Sequence, residues 1–138
     1  INQNMITKSI KPFITNKNIN VVNLFSKIKS KKDAKDPNCV KLIKDKNNYA
    51  IYFSRLPIPH STAINKNIHY KQVCIIPFRR NYLIKYIKMK PTSLEIIESI
   101  DMLRIIENGE KVKLVEISET TYPVDTLEDL KKVEKLLR

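Results

Sequence analysis

The carboxylate of Asp125 is the side chain in this sequence whose position most suggests chemistry. Asp125 ends the run Pro123-Val124-Asp125, which lies between a predicted strand and a predicted helix. A carboxylate at the end of a strand in an α/β sheet lies at the edge where ligands bind, and Mg²⁺ prefers carboxylate oxygens. On the residues alone, a capping or structural role for Asp125 is favoured over the metal-binding role.

The other acids and the histidines give weaker indications of a site. Glu95, Glu98 and Asp101 are spaced three residues apart on one side of a predicted helix, a pattern typical of a solvated face. His60 and His69 lie in a polar loop and lack the spacing of metal ligands, which favours two solvated histidines.

Glycine and cysteine usage excludes several classes of site. The chain contains a single Gly, so a Gly-rich loop that cradles phosphate is excluded. Cys39 and Cys74 are too few for a disulfide framework or a zinc site, and both lie in predicted strands as small buried hydrophobic residues. This usage predicts a reducing, cytoplasmic compartment.

The net charge of +12 on 138 residues first suggests a nucleic-acid partner. Residues 1–90 carry 16 Lys and 3 Arg against 3 Asp, whereas residues 91–138 carry 7 basic and 11 acidic residues. Only residues 27–32 form a dense basic cluster, and the chain has few Arg and 7% aromatic residues. Groove readers use Arg, and single-strand binders interleave aromatic residues, so nucleic acid is not the favoured partner. No apolar run approaches the length of a membrane span, so no membrane association is predicted.

Hydrophobic periodicity and turn residues predict a mixed α/β chain. The first predicted elements are a helix from Met5 to Ile14 that Pro12 should kink or restart, a strand over Val21–Ile28, a turn over Asp33–Pro37, and a hairpin of Cys39–Ile43 and Tyr49–Phe53. A loop over Arg55–Ile68, a strand over Val73–Phe78, a short helix over Asn81–Tyr86 and a strand over Lys111–Ile117 follow. A final helix is predicted to be capped by Thr126, with Glu128 and Asp129 in its first turn.

One predicted helix has the best-marked ends. Thr92 followed by Glu95 fits a capping box at its start, and Gly109 falls where a helix C-terminus needs a left-handed residue. Its apolar stripe, spaced for a single continuous helix, consists of Leu94, Ile97, Ile100, Leu103 and Ile106.

Five segments in order, with compatible spacing, resemble the 3-deoxy-manno-octulosonate cytidylyltransferase (CMP-KDO synthetase) family. They are residues 36–41 (Asp-Pro-Asn-Cys-Val-Lys), 49–59 (Tyr-Ala-Ile-Tyr-Phe-Ser-Arg-Leu-Pro-Ile-Pro), 94–104 (Leu-Glu-Ile-Ile-Glu-Ser-Ile-Asp-Met-Leu-Arg), 107–109 (Glu-Asn-Gly) and 124–130 (Val-Asp-Thr-Leu-Glu-Asp-Leu). The resemblance covers essentially the whole chain but only the C-terminal half of the family. It implies a mixed-sheet nucleotidyltransferase fold of the nucleotide-diphospho-sugar transferase type, with residues 1–138 as a single partial domain.

The resemblance also implies an activity. Members of the family join CTP to the sugar acid KDO with Mg²⁺ and release pyrophosphate, for lipopolysaccharide biosynthesis, and a homodimer is expected. The CTP-binding loop and an acidic Asp-Glu-Pro metal motif belong to the family's N-terminal half, which would precede Ile1.

Four positions correspond to the family's site positions, two with the family's residue and two with a different one, and none of them is assigned as catalytic. Asp125 matches a metal-binding Asp, and Arg55 matches an Arg that contacts the sugar acid, where a guanidinium suits a carboxylate. Asp101 stands where the family has a sugar-binding Glu, and Gln72 stands where it has a His. Further departures from the family's residues are Ile76, Met102, Cys74 and Pro123, and the loop between Pro59 and Tyr70 is shorter than in the family.

Two hypotheses follow. The first is a divergent cytidylyltransferase of which this chain is one half, not competent by itself. The second is a non-catalytic dimerisation or interaction module that keeps the fold.

Overall fold

A computed structural model describes residues 1–60, 69–119, 121–122, 124 and 127–137. It contains both helices and strands, as the periodicity predicts. They are α1 (Gln3–Thr15), β1 (Val22–Lys27), α2 (Lys31–Lys35), β2 (Lys41–Lys44), β3 (Ala50–Ser54), β4 (Tyr70–Val73), α3 (Arg80–Tyr86), α4 (Ser93–Glu98), α5 (Met102–Glu107), β5 (Lys113–Glu116) and α6 (Leu127–Leu137).

The five strands form one mixed sheet, which confirms the predicted fold class. Their order is β3-β2-β4-β1-β5, with antiparallel pairs throughout except for the parallel pair of β1 and β5. The two outer strands approach each other at a single antiparallel bridge between Tyr49 and Lys113. Two backbone hydrogen bonds support that bridge, from Ala50 N–H to the Val112 carbonyl (3.0 Å) and from Leu114 N–H to the Asn48 carbonyl (2.8 Å).

Two hydrophobic clusters hold the helices against the sheet. The larger contains buried side chains of the sheet together with those of α3 and α5, among them Phe25, Leu42, Phe53, Tyr82 and Leu103. The smaller lies beneath α1 and consists of Met5, Leu24, Val73 and Ile117. Burial of such apolar surface is the main stabilising contribution to the fold.

The predicted hairpin and the predicted helix end are confirmed. Asn48 adopts a positive φ of 59° in the turn between β2 and β3, and Gly109 adopts a φ of 73° two residues after the end of α5. The Gly109 and Glu110 N–H groups donate to the carbonyls of Ile106 and Ile105, which satisfies the otherwise unpaired carbonyls at the end of that helix.

Three predicted elements differ from the structure in their bounds. Residues 31–35 form the short helix α2 instead of a turn, because the Ser30 hydroxyl caps the N–H of Lys32 (3.1 Å). The fourth strand is β4, which ends at Val73 and does not run from Val73 to Phe78. The Ile75 N–H donates to the Val73 carbonyl two residues back (2.7 Å), which interrupts the regular ladder. Residues 75–78 still lie beside β1, because the Ile75 and Pro77 carbonyls accept from Leu24 and Val22 N–H and Phe78 forms a bridge with Val21. Helix α1 does not restart at Pro12 but continues through it.

The predicted continuous helix that begins after Pro91 is two helices. Ser99 adopts the left-handed conformation (φ 53°, ψ 50°) and ends α4, and α5 begins three residues later. Ile100 and Leu103 are buried as predicted, whereas Ile97 is 77% exposed because the break rotates it away from the core. This break carries the residues of the candidate site.

Other predictions fall partly or wholly outside the described residues. Residues 61–68 of the predicted loop and the Thr126 cap are outside them, while Glu128 and Asp129 do lie in the first turn of α6. Within the described part of the chain, no helix combines the length and apolarity that crossing a membrane requires.

Candidate functional site

Arg55 lies at the end of β3 and connects three segments of the chain. Its Nε donates to the Glu98 carbonyl (2.7 Å), one Nη to the Pro37 carbonyl (2.9 Å) and the other Nη to the Ser99 carbonyl (3.0 Å). A guanidinium has five N–H donors. Three of these N–H groups donate to backbone carbonyls of the described residues, and the other two can donate to a further acceptor.

The carboxylate of Glu98 makes the return connection from α4 to β3. It accepts hydrogen bonds from the Ser54 hydroxyl (3.0 Å), the Arg55 backbone N–H (2.9 Å) and, at 3.4 Å, the Tyr52 hydroxyl. Burial, followed by the nearby Glu98 carboxylate, raises the pKa of Tyr52, so Tyr52 stays a neutral donor at physiological pH.

Asp101 lies immediately after this connection, between α4 and α5. Its side chain is exposed, and its carbonyl accepts from the Tyr86 hydroxyl (3.3 Å) and the Arg104 N–H (3.2 Å). Asp101 lines an open cavity of about 510 Å³ together with Tyr86, Pro91, Glu95, Ile96, Ser99, Ile100 and Arg104. The volume is in the range of small-molecule sites.

An ion pair forms one wall of that cavity. Glu95 and Arg104 form two hydrogen bonds with each other, of which Nε to Oε2 measures 2.7 Å, and their side chains are only 12% and 16% exposed. The Arg104 hydrogen bond lowers the pKa of the Glu95 carboxyl. The Glu95 carboxylate also accepts from the Thr92 N–H (3.2 Å), which is the predicted contact of the capping box.

The prediction of a solvated acidic face is therefore wrong for two of its three members. Glu95 and Glu98 are partly buried and hydrogen-bonded, and only Asp101 is exposed. Glu95 and Glu98 lie on one side of α4 as the spacing predicts, but that side packs against Arg104 and β3 instead of solvent. Only Asp101 lies beyond the left-handed residue Ser99.

The structure brings Arg55 and Asp101 to the same helix break but places Gln72 within the sheet. Gln72 Nε2 donates to the Asn23 side-chain oxygen (2.7 Å), and its backbone N–H donates to the Val40 carbonyl (2.9 Å). Asn23 is fully buried and donates to the Leu24 and Val73 carbonyls. The hydrogen bonds of Gln72 thus join neighbouring strands, and its predicted contact with a sugar stays a prediction.

Lys41 is a residue of this region that the sequence pattern does not indicate. Its side chain is fully buried at the start of β2, and its Nζ donates to the Asp36 carbonyl (2.7 Å). Burial lowers the pKa of this ammonium, an effect that the nearby Asp36 and Glu98 oppose. A lysine in a short strand normally indicates an exposed edge, so the pattern gave no signal for it.

The predicted metal ligand cannot be placed here, because Asp125 lies outside the described residues. Within the described ranges, no group of three or more His, Cys, Asp or Glu side chains has the geometry to hold a metal ion. The Mg²⁺ expectation therefore stays a prediction that rests on the resemblance.

The histidine and cysteine predictions have mixed outcomes. His60 is exposed, whereas the Nδ1 of the half-buried His69 lies 2.8 Å from the Ile58 carbonyl. Cys39 is half-buried, and burial raises the pKa of its thiol, whereas Cys74 is exposed and follows the end of β4. The expectation of two buried cysteines is thus wrong for Cys74.

Comparisons of the sequence and of the structure with known proteins find similarity to the same kind of enzyme. Residues 1–112 match the model of a family described as cytidylyltransferase. A 3-deoxy-manno-octulosonate cytidylyltransferase from Fusobacterium nucleatum is 41% identical over 133 residues, and one from Geobacter sulfurreducens is 38% identical over 144 residues. These alignments cover 96% of this chain and 54% and 58% of the two relatives, so the chain spans about half their length.

A solved structure has the same fold. It is the structure of a CMP:2-keto-3-deoxy-manno-octonic acid synthetase complexed with CTP, with a TM-score of 0.92 and 29% sequence identity. The match covers 99% of this chain and 56% of that one.

Proposed function

This chain belongs to the cytidylyltransferase family, and on that premise we propose that it is part of an enzyme that joins CTP to the sugar acid KDO. The observation that carries the proposal is the match over 99% of the chain, with a TM-score of 0.92, to a synthetase complexed with CTP. The 41% identity to a 3-deoxy-manno-octulosonate cytidylyltransferase supports the same reaction.

In the proposed reaction, a hydroxyl oxygen of the sugar acid forms a bond to the α-phosphorus of CTP. The bond from that phosphorus to the bridging oxygen of the β-phosphate breaks, pyrophosphate leaves with the electron pair, and the hydroxyl proton is released to solvent. Because this transfer asks the protein mainly for positioning and charge stabilisation, residues that fix the sugar acid contribute to the rate.

We assign the sugar-acid side of the site to Arg55 and Asp101. Two guanidinium N–H groups of Arg55 do not donate to backbone carbonyls of the described residues. These two groups suit a carboxylate acceptor. The Asp101 carboxylate, exposed beside the cavity, suits sugar hydroxyl donors. Both roles are proposals that the geometry at the α4–α5 break supports.

Asp125 completes the proposed assignment, and Gln72 stays a proposed sugar contact that rests on the resemblance alone. Mg²⁺ held by Asp125 would neutralise charge on the phosphates, and its carboxylate oxygens are the ligands that this ion prefers. The remaining Mg²⁺ ligands and the CTP-binding groups would come from the other half of the enzyme, whose position relative to this chain stays a prediction. Homodimerisation and a role in lipopolysaccharide biosynthesis are proposed with the activity.

The test is the formation of CMP-KDO by a protein that contains this chain and has the full length of its relatives. With CTP, KDO and Mg²⁺, we expect pyrophosphate release and CMP-KDO in equal amounts. Asp125→Asn should abolish turnover, and Arg55→Lys should raise the KM for KDO, because Lys lacks the planar pair of donors. Glu116→Gln, an exposed change on β5, is the matched control and should have no effect.

Two results would contradict the proposal. Robust turnover by residues 1–138 alone would refute the claim that the chain needs its other half. No turnover with any sugar acid in the full-length protein, combined with partner binding that Asp125→Ala leaves unchanged, would favour the non-catalytic module.

A further inference from the structure

The hydrogen bonds that the Glu98 carboxylate accepts all come from outside its own helix. This carboxylate lies at the C-terminal end of α4 and accepts from Tyr52, Ser54 and the backbone of Arg55, all in or next to β3. A carboxylate at a helix C-terminus is disfavoured by the helix dipole. The three accepted hydrogen bonds compensate for this position, so the contact between α4 and β3 depends on that carboxylate.

Arg55 makes the opposite connection. Its side chain donates to the Glu98 and Ser99 carbonyls, while its own backbone N–H donates to the Glu98 carboxylate. The guanidinium thereby pairs carbonyls at the end of α4 that the helix leaves without partners. The two residues form a reciprocal clasp, in which the side chain of each holds the backbone of the other.

The clasp surrounds a strained residue. Ser99 has a left-handed φ of 53°, which costs a non-glycine residue free energy and persists where surrounding contacts enforce it. Its carbonyl is one of the acceptors of Arg55. The direction in which the chain leaves α4, and hence the position of Asp101, is set at this residue.

We propose that Glu98 is a positioning residue for the sugar-acid site, which holds Arg55 and Asp101 in the geometry that recognises an anionic sugar. The inference rests on the proposed function. A direct contact between Glu98 and the sugar is not required, since the carboxylate is partly buried and already accepts three hydrogen bonds. Its effect passes through the clasp and the break at Ser99.

The experiment compares Glu98→Ala and Glu98→Gln in the full-length protein by steady-state kinetics with each substrate varied. Glu98→Ala should raise the KM for KDO about tenfold or more, because small misplacement of binding groups is costly, and should leave the KM for CTP within about twofold. Glu98→Gln should have a KM for KDO close to that of the unsubstituted protein, because the Gln amide oxygen can accept from the Arg55 N–H and its amide nitrogen can donate to the Ser54 hydroxyl. Glu116→Gln is the control and should match the unsubstituted protein.

Other outcomes overturn the proposal. A Glu98→Ala protein with unchanged KM for KDO would show that the clasp does not set the site. Equal increases in both KM values together with a lowered melting temperature would show a general structural role, as would a failure of Glu98→Gln to restore binding.

A measurement independent of turnover separates this proposal from the proposed function. If the unsubstituted protein forms no CMP-KDO, the proposed function fails, and amide hydrogen exchange then tests the clasp. Faster exchange in Glu98→Ala confined to Arg55 and residues 99–101 would support the clasp, whereas uniform or unchanged exchange would refute it.

Discussion

Replacing Glu95 by Ala tests whether the ion pair beside the cavity stabilises the fold. The substitution removes the acceptor of two hydrogen bonds from Arg104 and of one from the Thr92 N–H, and it leaves a guanidinium that is 16% exposed. Breaking a fully buried pair by removing one partner costs about 3–5 kcal/mol. Arg104 keeps the Met89 carbonyl (3.2 Å) and the ring of Tyr86 (4.9 Å), and the open cavity admits water. We therefore expect a loss of about 2–3 kcal/mol in the free energy of unfolding.

Urea unfolding measures this loss. With a slope of about 1–3 kcal/mol per molar for small proteins, the midpoint should fall by about 0.7–3 M. The matched control is Glu116→Ala, because the Glu116 side chain is 48% exposed and its ion pair with Lys27 has a length of 3.6 Å. An exposed pair contributes little, so the control should change the free energy of unfolding by less than about 0.5 kcal/mol.

The double variant Glu95→Ala/Arg104→Met tests the physical reason. If the cost arises from an unpaired guanidinium, removing that charge as well should recover part of the stability, with a coupling of about 1 kcal/mol or more. A loss below about 0.5 kcal/mol in Glu95→Ala, or strictly additive effects in the double variant, would refute the reasoning.

Three further outcomes follow from local conformation and charge. Because the Arg104 hydrogen bond lowers the pKa of Glu95 from its ordinary value of 4.5, the stability that this group contributes is present above that value and is lost as the pH falls through the lower folded pKa. Urea midpoints should therefore fall more steeply below about pH 4.5 in the unsubstituted protein than in Glu95→Gln. Gly109→Ala should cost about 1–2 kcal/mol by the same assay, because the residue has a φ of 73° while open space surrounds its Cβ position; an unchanged midpoint would contradict this cause. Ser99→Gly should raise the stability by about 0.5 kcal/mol, since relief of left-handed strain exceeds the entropy that Gly adds to the unfolded chain; a loss of stability would show that the Ser99 side chain contributes more than its backbone strain costs.

Elements determined by local sequence were predicted most closely. The hairpin around Asn48 and the helix end at Gly109 depend on residues that tolerate a positive φ, and both have the expected conformation. Helix α1 and strand β5 follow apolar periodicities that a single segment contains. In each case, the residues that determine the structure are neighbours in the chain.

The break between α4 and α5 depends on residues distant in sequence and was not predicted. The stripe from Leu94 to Ile106 is continuous at helical spacing, and Ser is not a residue that usually marks a left-handed position. The break is held instead by Arg55, whose guanidinium reaches the Ser99 carbonyl across 44 positions of the chain. A periodicity within one segment contains no information about such a contact.

The same distinction explains what the resemblance supplied and what it left out. It indicated Arg55 by residue type and Asp101 by its position in the motif, and the structure places both at the helix break. It did not indicate that three N–H groups of Arg55 donate to backbone carbonyls. Every residue has a backbone carbonyl, so the residue types do not show which carbonyls act as acceptors. Nor did it indicate Glu98, whose spacing from its helical neighbours is typical of an exposed face. A side chain that recognises a ligand can thus be proposed from its type alone, whereas the side chain that positions it is identified only by the hydrogen bonds it makes.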